Sequence, residues 1–162
     1  MTDEGFEAAT GDGPAPPVAP GAAERRAAEV RVAFEGLLQI RRLTGTADGD
    51  PVAVPAVWER NRPVRAVALA LEAAGIAPSA VDAEGRRVAT GYRVAPGEGP
   101  GTVRVEWLGP PGGGAAQQEE GALGECVRAL GPLGWEALLY RGPRKRRFLE
   151  VEPAPGGSPT AR

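Results

Sequence analysis

The chain has 162 residues with a net charge of −2, 42% apolar and 25% charged residues, no histidine and a single cysteine. The missing histidines remove the commonest general base and metal ligand, and one cysteine excludes an internal disulfide or a thiolate zinc cage. The mildly acidic balance argues against a protein that coats nucleic acid non-specifically, although a local basic patch stays compatible with it. Among the 19 basic residues only Lys145 is lysine, and Ala, Gly, Pro and Val abound. Their GC-rich codons point to a high-GC bacterial source. No run of eighteen apolar residues occurs and Met1-Thr2-Asp3-Glu4 is acidic, so a cytoplasmic protein with no membrane partner is expected.

Residues 1–22 are rich in Gly, Pro and Ala, and residues 153–162 repeat that composition. Neither holds enough apolar surface to offset its ordering entropy, so both are expected to be disordered tails around one α+β domain spanning 23–152. From Ala22 to Leu43, Val30, Phe34, Leu37 and Leu38 share one face and predict a helix, with Arg25, Arg26, Glu29 and Glu35 on a solvated face. Asp48-Gly49-Asp50-Pro51 reads as a turn, since the rest of a calcium loop is missing. Asn61 is expected to cap a second helix, with Pro63 in its first turn, Trp58 packed over its start, a stripe of Val64, Val67, Ala68 and Leu71, and Gly75 at its end.

Leu71 to Val81 resembles the turn of a helix-turn-helix DNA-binding unit, with Gly75 four residues after Leu71 and Val81 six beyond it. The stretch departs from that family in having leucine where alanine is preferred, and in meeting Glu84-Gly85 soon afterwards.

Val88 to Ala95 and Thr102 to Leu108 alternate as strands. Val103, Val105 and Trp107 are expected inward, and Arg104 and Glu106 outward. A third helix follows near Gln117, with Leu123, Cys126, Val127 and Leu130 on its apolar face. Gly131 is placed as a left-handed cap and Pro132 as a stop. Trp135 to Tyr140 and Arg147 to Val151 then form a β-hairpin around Gly142-Pro143. Residues 61–108 and 117–152 both read helix-strand-strand, a weak internal repeat. The fold predicted is a two-layer α+β sandwich: one four-stranded antiparallel sheet from the two units, covered by helices, plus the N-terminal helix.

Two surfaces stand out. Arg141, Arg144, Lys145, Arg146 and Arg147 crowd the hairpin tip, where like charges repel. They suit either an anion such as a nucleic-acid backbone or a solvated turn end. Strand 135–140 is apolar on both faces, so it is either central or presents a partner surface through Trp135, Leu138 and Tyr140. Cys126 belongs to the core by its place in the apolar stripe. With serines only at 79 and 158, no nucleophile and base can be paired, and no glycine run has the phosphate-cradling form. Glu106 and Glu136 are the carboxylates left for acid-base chemistry. The sequence therefore favours a non-catalytic binding or accessory protein, without catalytic residues, metal or cofactor, that contacts a protein partner or itself. The alternative is a nucleic-acid binder using Arg141 to Arg147.

Overall fold

A computed structural model describes residues 6–45 and 49–155. Its frame is the predicted one. Helices α1 (Ala22–Thr44), α2 (Val57–Asn61), α3 (Pro63–Ala73) and α4 (Ala115–Leu130) accompany six strands. Strands β1 (Ala80–Val81) and β2 (Arg87–Ala89) form a small ribbon. Strands β3 (Gly91–Pro96), β4 (Val103–Leu108), β5 (Trp135–Arg141) and β6 (Arg147–Pro153) form the antiparallel sheet, in the order β3-β4-β6-β5. The two helix-strand-strand units thus take equivalent places. The second strand of each lies inside, and the first lies at an edge.

One sheet face is the core. Tyr92, Val94, Val103, Val105, Trp107, Trp135, Leu149 and Val151 are buried against Val67, Leu71, Leu123, Cys126 and Leu130 of α3 and α4. Full burial of each large apolar side chain contributes about 1.5–3 kcal/mol. Val103, Val105 and Trp107 point inward as their alternation predicts. Cys126 is buried, and burial, with Glu125 nearby, pushes its thiol up to about 12, which leaves it inert near neutrality. Helix α1 packs on the outside of α3, with Val30 and Leu37 against Leu69.

Several local expectations are corrected. Residues 76–81 do not form a recognition helix. Ala77 O accepts from Tyr92 N at 3.0 Å and Ser79 N donates to Tyr92 O at 2.9 Å, so the segment is extended and leads into β1. Pro78 suits that path, because it disfavours the helical conformation before it. The strand expected at 88–95 is broken at Thr90, since Gly91 passes so close to Ala77 and Pro78 that a Cβ would collide with their backbone. Asn61 closes α2, and Arg62 precedes Pro63 at the start of α3. Trp58 lies within α2 and packs against both apolar clusters. Gly131 stays right-handed, and the left-handed residue that reverses the chain into β5 is Gly134 (φ 87°). Asp50 caps a 3-10 turn at Pro51–Ala53 through Val52 N, while Asp48 lies outside the described residues.

Expected disorder at residues 1–5 and 156–162 likewise falls outside the described residues. Residues 6–13, by contrast, are held along β3. Thr10 O accepts from Val94 N at 2.7 Å, Gly13 O accepts from Val81 N at 2.9 Å, and Tyr92 Oη donates to Ala9 O at 2.8 Å. Arg26 is therefore no simple surface cation. It forms a two-pronged pair with Glu72 at 2.7 and 2.8 Å, donates to Glu7 O and stacks on Phe6.

Candidate interaction surface

The hairpin β5–β6 is anchored from beneath by Glu119, a fully buried carboxylate in the second turn of α4 (2% exposed). Glu119 Oε2 accepts from Arg146 Nε at 2.8 Å, and Oε1 accepts from the Arg147 backbone N–H at 3.0 Å. Arg146 also donates to Trp107 O at 2.9 Å, which ties the turn to the end of β4. The basic tip predicted as one cluster is thereby divided. Arg146 and Arg147 neutralise a buried acid, and burying Glu119 without them would be costly. Arg141, Arg144 and Lys145 are exposed, with no ion-pair partner among the described residues.

Arg144 and Lys145 both have φ 62°, and Arg146 N donates back to Pro143 O at 3.3 Å. Gly142 N donates to Arg146 O at 2.7 Å and Lys145 N to Gly142 O at 3.2 Å, so the hairpin loop is the three residues Pro143–Lys145, and two of them sit in left-handed backbone that glycine or asparagine adopts most readily. Placing two residues with a Cβ in left-handed backbone costs about 1 kcal/mol each in strain.

Register sorts the strand that is apolar on both faces. Trp135, Ala137 and Leu139 share the helix-covered face with Val151 and Leu149, whereas Glu136, Leu138 and Tyr140 share the open face with Glu152, Glu150 and Phe148. Trp135 is 2% exposed and belongs to the core, which corrects its place in the predicted partner surface. Leu138 (46% exposed) and Tyr140 (45%) are half-exposed on the open face, and Leu139 (49%) is half-exposed on the other. Leu139 points to the helix side but lies at the margin of its cover.

The open face carries a row across three strands. Tyr140 stacks beside Phe148 with ring centroids 5.8 Å apart, and the Arg104 guanidinium lies 3.8 Å over the Phe148 ring. Arg93 bridges Glu106 at 3.1 Å and Asp12 at 2.9 Å. Partial burial raises the Asp12 pKa, but the Arg87 and Arg93 guanidiniums outweigh it and hold the carboxyl below its ordinary value. Glu106 is thus paired on β4, while Glu136 faces Glu152 at the far end of β5, so these two carboxylates do not meet. Among the described residues no three Asp, Glu or Cys side chains gather as metal ligands, and no helix is long and apolar enough to cross a membrane.

A second buried pair escaped the sequence reading. Arg41 and Glu59 meet at 2.6 and 2.7 Å with both side chains buried. Arg41 also donates to Val52 O and Leu133 O at 2.6 and 2.8 Å, tying the Pro51–Ala53 turn to the loop that delivers the chain into β5. Both Arg41 and Glu119 are visible in the sequence as charges in phase with apolar stripes: Val30, Leu37, Arg41 on α1 and Glu119, Leu123, Cys126, Leu130 on α4.

No protein-family model, curated protein or solved structure matches the chain.

Proposed function

We propose that this is a non-catalytic binding protein that works by protein–protein contact along the β5 edge and its flanking open face, in the cytoplasm of a bacterium with a GC-rich genome. One observation carries the reading. The edge strand β3 is covered by residues 10–13 and 77–79 of its own chain, whereas no described residue bonds the outer edge of β5 on the other side of the sheet. An uncovered edge of regular register with Leu138, Leu139 and Tyr140 exposed is the feature that strand-adding partners use. Replacing Tyr140 by a photo-crosslinking phenylalanine analogue in cells tests it. A protein adduct at position 140, without one from the same analogue at exposed Val88, is expected. Equal labelling at both positions, or none, would refute the edge reading.

Nucleic-acid binding is the second reading, and the exposed cations Arg141, Arg144 and Lys145 favour it. Against it, Glu119 engages Arg146 and Arg147, and Phe148 lies between Tyr140 and Arg104, leaving Tyr140 as the one free stacking ring of that row. Fluorescence anisotropy with DNA and RNA at low and high salt decides it. Binding that falls steeply with salt and vanishes in the Arg144→Ala/Lys145→Ala variant would promote this reading.

A further inference from the structure

We infer that the occupant of the β5 edge is a second copy of this chain, its own β5 added antiparallel about a two-fold axis at Leu139. The inference rests on the edge reading above and goes further by naming partner and register.

Backbone direction comes first. Gly142 N donates to Arg146 O and Ala154 N donates to Gly134 O, so the even-numbered residues of the β5 strand face β6. In an antiparallel ladder the alternate residues then turn their N–H and C=O groups the other way. Ala137, Leu139 and Arg141 therefore present theirs outward, and none is bonded among the described residues. At Trp135 the edge is closed, because Gly134 packs against Ala53 and Pro55. The open stretch is 137–141, and its centre is Leu139.

A two-fold axis perpendicular to the sheet through Leu139 makes this stretch complementary to itself. Residue i then faces residue 278 − i of the second copy. Backbone pairs form at Ala137 with Arg141, Leu139 with Leu139 and Arg141 with Ala137. On the open face Leu138 meets Tyr140 twice, so each of the three half-exposed apolar side chains finds an apolar neighbour. Charge agrees with this direction. The hairpin is acidic at its open end, where Glu136 and Glu152 lie opposite each other as like charges, and basic at its tip. Antiparallel addition sets Glu136 opposite Gly142 of the other copy, next to the unpaired Arg144 and Lys145. Parallel addition would place acid beside acid. The strand also lacks several features that keep edges apart: β5 contains no proline or lysine and its pairing with β6 has no bulge.

Purified full-length protein tests this in two steps. Sedimentation velocity is expected to show twice the chain mass at micromolar concentration, reverting to the monomer in Leu139→Lys. Under mild oxidation Leu139→Cys should crosslink to itself, because the paired Cα atoms would lie about 5.5 Å apart, inside disulfide range. Ala137→Cys should not, since four residues of strand, about 13 Å, would separate it from its counterpart. Buried Cys126 does not compete. A wild-type protein that remains monomeric, or an Ala137→Cys that crosslinks as readily as Leu139→Cys, overturns the inference. Monomeric protein together with adducts to other proteins at position 140 would reject self-pairing while sparing the edge reading, and loss of both would reject both.

Discussion

The two edge strands of the sheet occupy equivalent positions and are treated oppositely. At β3 the outward N–H and C=O of Tyr92 and the N–H of Val94 are bonded to Ala77, Ser79 and Thr10. Gly11, at φ 99°, lets the N-terminal segment approach so closely that a Cβ there would strike Tyr92 O. Asp12 fastens it to Arg87 and Arg93. At β5 no described segment does this, and Leu138, Leu139 and Tyr140 are exposed. Sealing an edge costs this chain a dedicated segment and a glycine, and the unsealed edge is where we propose that the molecule meets a partner.

Four changes sharpen or break that contrast. The largest effect is expected from Arg41→Leu, which leaves Glu59 buried without its partner and frees the loops that close the start of β5. A loss of about 3–5 kcal/mol should appear in urea unfolding. Gly11→Val should cost about 1–2 kcal/mol by forcing a branched residue into left-handed backbone. It should also uncover β3, read as faster hydrogen exchange at Tyr92 and Val94. A variant with unchanged exchange there would mean that the segment does not seal the edge. Arg144→Asn with Lys145→Gly should stabilise the monomer by about 1 kcal/mol by relieving the turn, while removing the cations proposed to meet Glu136 of a second copy. Stability and association should thus move in opposite directions, which a purely structural tip would not produce.

The smallest effect concerns pH. Asp12 titrates below its ordinary value of 3.8 in the folded chain, so its contribution to holding the segment is present above that value and lost as pH falls through the lower one. Nuclear magnetic resonance signals of Gly11 and Gly13 should shift only in that acid range, and Asp12→Asn should abolish the transition.

Helices, strands and the two-layer arrangement were legible because each writes its period into side-chain chemistry, as in Val103, Val105 and Trp107. The basic cluster was legible as charge. Its division was not, because Glu119 lies 27 residues from Arg146 in sequence and its carboxylate reads as surface until it is seen in phase with Leu123 and Cys126. Trp135 was assigned to the wrong side because a strand apolar on both faces gives no parity, and only its pairing with β6 supplies one. The sealing of β3 was hidden for a different reason. Thr10 and Gly13 act through backbone carbonyls, which every sequence possesses, so composition reports the segment as free chain.

Amide hydrogen exchange, followed residue by residue over a dilution series, tests the central claim most directly. The account predicts that Tyr92 and Val94 stay protected at every concentration, while Ala137, Leu139 and Arg141 exchange rapidly in dilute protein and gain protection together as concentration rises. Outward β5 amides that exchange at one unvarying rate across the series, or that are already as protected as those of β3 in dilute monomer, would contradict it.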